Sequence, residues 1–81
     1  MEDRIKNVMS AVFEISVEQI TEDSSPDTIE SWDSLKHMNL VIALEDEFNI
    51  SIPDSEVANI LTFTLIVYVV KEAINLSSVG N

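Results

Sequence analysis

Apolar residues recur at three- and four-residue intervals near the start of the chain. They are Ile5, Val8, Met9, Val12 and Phe13. This spacing is typical of one apolar stripe on an amphipathic helix, and it predicts a helix over residues 2–16. Glu2 and Asp3 would lie in its first turn, where negative charge is favourable for the helix dipole.

A second helix is predicted from the residues around position 34. Asp33 is a good N-cap just before Leu35, because its carboxylate can accept a hydrogen bond from a free amide of the first turn. The helical pattern continues to about Phe48. Asn49 then ends it, and Pro53 follows shortly afterwards.

Two more helices complete the predicted secondary structure, a short one over 54–60 and a last one over 63–75, which Thr62 can cap. Residues 62–70 are rich in β-branched and aromatic side chains and could also form a strand. We reject the strand because nothing else in the chain offers one to pair with. Residues 1–76 are predicted to form a single domain, and residues 77–81 a flexible tail.

Residues 17–33 form a long predicted loop, which Pro26 and its polar neighbours keep from being helical. Ile20, Ile29 and Trp32 are expected to fix this loop to the core. A loop of this length is uncommon in a small domain unless it has a function. The fold class is therefore all-α, a small four-helix bundle with three longer helices, one short helix and a long loop between the first two helices.

The second helix carries two apolar stripes instead of one. The larger stripe, which includes Leu40, Val41 and Leu44, is the expected core face. The smaller stripe is Leu35, Met38 and Ile42. It either packs against the loop or the short helix, or it is exposed and forms a docking surface with helix-in-groove spacing. The nearby acids Glu45, Asp46 and Glu47 would attract basic partners to such a surface.

Fifteen acidic and four basic residues give a net charge of −11. This charge argues against binding nucleic acid or an anionic membrane surface, and it favours partners with basic patches, although acids can also serve only for solubility. The longest apolar stretch, 65–70, is too short to cross a bilayer, and the first residues do not form a signal peptide. We expect a cytoplasmic monomer without membrane insertion.

The chain offers no catalytic constellation. It has no cysteine and a single histidine, His37, which the helical pattern places on the core side of the second helix. Asp23, Asp27 and Asp33 lack the regular spacing and the central glycine of a calcium-binding loop. We therefore expect neither an enzyme nor a metal site.

Three stretches of sequence together resemble the acyl carrier protein family. They are Ser31-Trp-Asp-Ser-Leu35, Leu40-Val-Ile-Ala-Leu-Glu-Asp-Glu-Phe48 and Ile52-Pro-Asp54. The Asp-Ser-Leu tripeptide alone is ordinary helix capping. The resemblance becomes specific when the tripeptide is combined with the chain length, the acidity and the order of predicted helices.

The resemblance implies that Ser34 carries 4′-phosphopantetheine as a covalent cofactor, with Asp33 as the helix cap beside it. A separate phosphopantetheinyl transferase would attach the group, and its terminal thiol would hold an acyl or aminoacyl group as a thioester. The implied partners are this transferase, a loading enzyme and a downstream synthase or transferase. The expected partner-binding residues are Leu35, Met38, Ile42, Glu45, Asp46, Glu47, Asp54 and Glu56.

Three features differ from fatty-acid carriers of primary metabolism. Lys36 adds a positive charge just after the Ser-Leu pair, and Trp32 precedes the motif, as in more specialised carriers. These two residues favour a specialised lipid, polyketide or peptide pathway. The last helix is apolar around its whole circumference, so it is either deeply packed or exposes a patch around Leu65, Tyr68 or Val69. The alternative function is an interaction module that has the fold but carries nothing.

Overall fold

The computed structural model describes the backbone of residues 1–79 and the side chains of residues 1–76. Within this part of the chain, four α-helices occur: α1 (Glu2–Phe13), α2 (Ser34–Phe48), α3 (Asp54–Val57) and α4 (Phe63–Val79). A 3₁₀ turn, Val17–Gln19, lies in the loop between α1 and α2, and no strand occurs in residues 1–79. The predicted all-α bundle with one short helix and a long first loop is confirmed.

The core is apolar, mostly aliphatic with a few aromatic side chains, and is shared by the three long helices. Its most completely buried side chains are Phe13, Ile5, Met9, Leu40, Leu44, Ile60, Ile66 and Val70. Each such side chain contributes roughly 1.5–3 kcal/mol on removal from water. Ile20, Ile29 and Trp32 of the long loop are also buried, so the prediction that they fix the loop to the core is confirmed.

α1 is shorter than predicted because it ends at Phe13 rather than at residue 16. Glu14 adopts a left-handed backbone conformation with φ 58° and ψ 47°, and its amide donates to the carbonyl of Ser10. The amide of Ile15 donates to the same carbonyl at 3.2 Å. These bonds satisfy a carbonyl at the end of the helix and turn the chain into the loop.

α2 ends in the same way, at the position the sequence predicted. Asn49 has φ 54° and ψ 51°, and the amide of Ile50 donates to the carbonyl of Glu45 at 3.1 Å. Asparagine tolerates this left-handed conformation better than most residues do. The chain therefore leaves the helix at Asn49, and residues 50–53 connect it to α3.

The last two helices differ in length from the prediction. α3 ends at Val57 rather than at residue 60, and α4 continues to Val79 rather than ending at residue 75. The predicted flexible tail, 77–81, thus overlaps the end of α4, and its residues 80–81 lie outside the described residues. The domain boundary at residue 76 stays a prediction.

α4 is buried on one side and exposed on the other. The Oγ1 of Thr62 accepts a hydrogen bond from the amide of Leu65 at 3.1 Å, which confirms the predicted cap. Val69 is buried, so the alternative that places it in an exposed patch is wrong for this residue. Leu65 and Tyr68 are exposed. The apolar residues of α4 are therefore divided between the core and the protein surface.

We predict that position 49 tolerates glycine but not a β-branched residue. Asn49→Gly should leave the free energy of unfolding within about 0.5 kcal/mol of the parent, because glycine adopts positive φ without strain. Asn49→Val should lower it by about 1–2 kcal/mol, because a β-branched side chain is strained there. Urea denaturation followed by circular dichroism measures both values, and equal stabilities would contradict the left-handed cap.

Candidate functional site

Ser34 is the first residue of α2, and its side chain is exposed. Asp33 precedes it in an extended conformation, and its Oδ1 accepts a hydrogen bond from the amide of Lys36 at 2.8 Å. The carbonyl of Asp33 also accepts from the amide of His37 at 2.8 Å. The predicted N-cap is confirmed. Among the hydrogen bonds of the described residues, none involves the hydroxyl of Ser34, which is open to solvent.

A hydrogen-bonded link joins the loop, α2 and α3 beside Ser34. The Nε1 of Trp32 donates to the Nδ1 of His37 at 3.0 Å, and the Nε2 of His37 lies 2.6 Å from the carbonyl oxygen of Val57. Because Nδ1 accepts, Nε2 carries the proton and donates to Val57. The imidazole is therefore a neutral connector, as the expected structural role of His37 requires, and both of its nitrogens are in use.

Trp32 is the centre of this link. Only 4% of its surface is exposed, and its ring packs against Phe13 at a centroid distance of 4.8 Å. The planes of the indole and of the His37 imidazole differ by 19° and their centroids are 6.1 Å apart, so the two rings meet edge to edge through their hydrogen bond. A buried indole needs a partner for its N–H, and His37 supplies it. The residue two positions before Ser34 is thus fixed from two sides.

Further hydrogen bonds tie the loop to α1 and α4. The Oγ of the buried Ser24 accepts from the amide of Thr21 at 2.8 Å, and the carbonyl of Ser24 accepts from the amide of Phe63 at 3.2 Å. The Oγ of Ser31 donates to the carbonyl of Phe13 at 2.9 Å. The long loop is therefore an ordered support for the start of α2.

A mostly apolar cavity of about 530 Å³ opens beside Ser34. Its walls come from the loop, α2 and the region of α3, and they include Trp32, Ser34, Met38, Asp54, Val57 and Leu61. An exposed hydroxyl at its edge and an apolar interior fit a covalently attached arm with an apolar cargo. The free amides at the start of α2 favour a phosphate on Ser34, whereas the Asp33 carboxylate does not.

The side chain of Lys36 forms an ion pair with the end of α1. Its Nζ lies 3.3 Å from Oε2 of Glu14, the residue that ends α1. The negative charge of Glu14 partly offsets the positive charge of Lys36, the residue that distinguishes this Ser-Leu motif from that of more acidic carriers. Since the side chain of Glu14 is 79% exposed, the ion pair contributes little to stability.

The second apolar stripe of α2 is on the surface. Leu35, Met38 and Ile42 are 70%, 48% and 60% exposed. These values exclude the alternative in which the stripe is buried against the loop or the short helix. The exposed start of α2 and this stripe therefore form one continuous side of the helix, with Ser34 at its end.

The acids near the end of α2 have different surroundings, which the sequence did not indicate. The Oε2 of Glu45 accepts from the amide of Ile52 at 2.8 Å and so orders the turn after α2. Oε2 of Glu47 and its backbone carbonyl accept from Arg4 of α1 at 3.0 and 2.9 Å. Asp46 is exposed. Of the three, Asp46 is the acid best placed to meet a partner.

The two acids of α3 face different parts of the surface. Asp54 lines the cavity beside Ser34, whereas Glu56 lines a separate groove against α4. Within residues 1–76, no cluster of three or more histidine, aspartate or glutamate side chains is arranged to hold a metal ion. None of the described helices is long and apolar enough to cross a membrane.

We predict that the His37 link stabilises the domain. His37→Ala leaves the buried indole N–H of Trp32 without its acceptor, and it should lower the free energy of unfolding by about 1–3 kcal/mol. Asn39→Ala, on the exposed side of the same helix, is the matched control and should change it by less than about 0.5 kcal/mol. Urea denaturation measures both, and similar values for the two variants would contradict the link.

Comparison with known proteins identifies the family to which this arrangement belongs. The family model described as phosphopantetheine attachment site matches residues 3–66. The fold is similar to that of a holo acyl carrier protein from Geobacter metallireducens, determined by solution NMR, with a TM-score of 0.86 and 24% identity over 99% of this chain and 92% of that chain. Because the family model spans most of the sequence, the chain belongs to the phosphopantetheine attachment site family and is a carrier protein whose cofactor is covalently bound 4′-phosphopantetheine.

Proposed function

We propose that Ser34 carries the 4′-phosphopantetheine and that the protein delivers an acyl or aminoacyl group to partner enzymes. The observation that supports this most is the position of the Ser34 hydroxyl. It is exposed at the first residue of α2, beside an apolar cavity, and lies within the part of the chain that matches the family. When bound, the group supplies a terminal thiol that holds the cargo as a thioester.

The residues around Ser34 act by positioning. Asp33 fixes the first turn of α2 through its bond to the amide of Lys36, so the serine projects from a rigid helix end. The link from Trp32 through His37 to Val57 holds the preceding loop against α3. A separate phosphopantetheinyl transferase therefore meets a serine whose backbone is already ordered, and it need not order the loop on binding.

Partner enzymes are proposed to dock on the exposed side of α2. Leu35, Met38 and Ile42 provide apolar anchors with helical spacing, and methionine adapts to several partner surfaces. Asp46 and Asp54 add negative charge along this side, where basic partners are attracted. Glu45 and Glu47 contribute more to order than to docking, since both already accept hydrogen bonds within the chain.

We further propose a monomeric, cytoplasmic carrier in a specialised lipid, polyketide or peptide pathway. Repulsion between copies of net charge −11 supports the monomeric state. The proposal of a specialised pathway depends on Lys36 more than on Trp32. The tryptophan has a structural role in the loop, which accounts for its presence without reference to the pathway. A loading enzyme and a downstream synthase or transferase are the partners this function requires.

We predict that phosphopantetheine is added to Ser34 alone. Incubation of the apo protein with coenzyme A, magnesium and broad-specificity transferases should add one phosphopantetheine by mass spectrometry, and Ser34→Ala should abolish the gain. Ser55→Ala is the matched control, because Asp54-Ser55 repeats the Asp-Ser dipeptide at the start of α3. A parent protein that gains no mass with any transferase would favour the interaction module that carries nothing.

We predict that adjacent residues of α2 respond in opposite ways to the same substitution. Ile42→Glu should keep the parent circular dichroism spectrum and slow the transferase by about tenfold, because it places a charge in the docking surface. Val41→Glu should unfold the domain, because Val41 is buried. Transfer by Ile42→Glu at the parent rate would show that the exposed stripe does not contribute to docking.

A further inference from the structure

A second groove lies at the other end of α2 from Ser34. It runs between α4 and the segment that joins α2 to α3, and its volume is about 620 Å³. It begins at Asn49, which lies 15 residues after Ser34, or about 22 Å further along the helix axis. Its lining includes Ile50, Pro53, Glu56, Tyr68, Glu72 and Leu76. The groove shares no lining residue with the cavity beside Ser34, although α3 contributes to both.

Exposed apolar side chains form a row on one face of α4. Tyr68 and Leu76 of this row line the groove, and Leu65 extends the row beyond the lining. Leu65, Tyr68 and Leu76 are 42%, 60% and 69% exposed, and their spacing of three and eight residues, with Glu72 between them, places them on the same side. The opposite side of α4 is buried. The described part of the bundle leaves this row uncovered, and an exposed aromatic ring in an apolar row is typical of an interaction surface.

Two carboxylates give the groove its charge. Glu72 raises the pKa of the Tyr68 phenol above its ordinary value of 10.0, chiefly through a hydrogen-bonding interaction and its negative charge, and Glu56 adds a smaller charge effect. Both carboxylates line the same groove as the Tyr68 ring. No lysine or arginine is found among the described residues that line this groove.

Three of the chain's four basic side chains have contacts outside the groove. Arg4 pairs with Glu47, and Lys36 pairs with Glu14. Lys6 lies over the ring of Phe63 at 5.4 Å. The fourth, Lys71, lies on α4 next to Glu72 but does not line the groove. The two carboxylates of the groove therefore have no lysine or arginine beside them among the described lining residues, and they can attract a cation of a partner.

The chemistry of the groove selects one class of occupant. A second copy of this chain also carries a charge of −11 and would be repelled. Nucleic acid and anionic lipid are disfavoured for the same reason, and an uncharged acyl chain does not use the two carboxylates. A lysine or arginine, in contrast, can place its charge between Glu56 and Glu72 and its aliphatic stem against Tyr68.

We propose that this α4 groove binds a basic amphipathic segment of a partner protein. Apolar side chains of the segment would cover Leu65 and Leu76, and one cation would lie over Tyr68 between Glu56 and Glu72. Since no residue that lines the groove also lines the cavity beside Ser34, the carrier can be held here while the exposed side of α2 meets another enzyme. Such tethering raises the effective concentration of the carrier near that enzyme. The proposal does not depend on Ser34 being modified.

The test is a titration of the ¹⁵N-labelled full chain, in apo and holo forms, with a synthetic helical peptide that carries leucines on one face and lysines on the other. Amide resonances of residues 50–56 and 65–76 should shift in a saturable way in both forms. Tyr68→Ala should weaken binding by about tenfold. The double variant Glu56→Gln/Glu72→Gln should weaken it on the order of fivefold. All three side chains lie at the surface of the groove, and circular dichroism verifies that the variants fold.

The matched control is Glu18→Gln/Glu22→Gln, which removes the same charge from exposed positions of the first loop. This variant should bind the peptide as the parent does. Equal weakening by both double variants would show attraction to net charge alone and overturn the proposal. Shifts confined to residues 34–42, equal binding of a peptide with glutamate in place of lysine, or dimerisation of the free protein through α4 would also overturn it.

Discussion

The hydrogen-bonded link from Trp32 through His37 to Val57 is the interaction on which the candidate site depends. A twenty-residue stretch without an α-helix, 14–33, separates α1 from α2, and its last residues must be fixed for Ser34 to have a defined position. The buried indole fixes them by packing on Phe13 and by donating to His37. The imidazole in turn reaches α3. The His37 side chain thus joins the three segments that surround the serine.

One face of α2 packs in the core, and another face is exposed to solvent. Leu40, Val41 and Leu44 are buried and hold α2 in the bundle, whereas Leu35, Met38 and Ile42 are exposed. Such a division is possible because the bundle buries only one face of α2. Ser34 lies at the end of the exposed side, so a partner that docks there is already close to the proposed site of modification. The groove on α4 repeats this arrangement on a second helix, where a buried side and an exposed apolar row coexist.

Much of the fold could be predicted from the sequence, because helical periodicity and caps are local properties. The residue types of Asp33, Thr62 and Asn49 indicate their roles at helix ends. The surplus of apolar positions on α2 reveals a second stripe, but the sequence leaves open whether that stripe is buried or exposed. The end of α1 was missed because nothing in the residue type of Glu14 indicates a left-handed conformation. The hydrogen bonds of Glu45 and Glu47 were missed because they depend on the approach of distant segments. The hydrogen bond between Trp32 and His37 could have been anticipated, because a buried tryptophan requires an acceptor for its indole N–H.

Hydrogen exchange of the Trp32 indole N–H tests the central claim most directly. The chain has one tryptophan, so a single indole resonance in the NMR spectrum reports on the link. If the N–H is bonded to His37 in the buried site, its exchange should be slowed to the rate of the core amides of α2, because both then require global opening. Exchange at the rate of an exposed indole, while the core amides of α2 stay protected, would contradict the account.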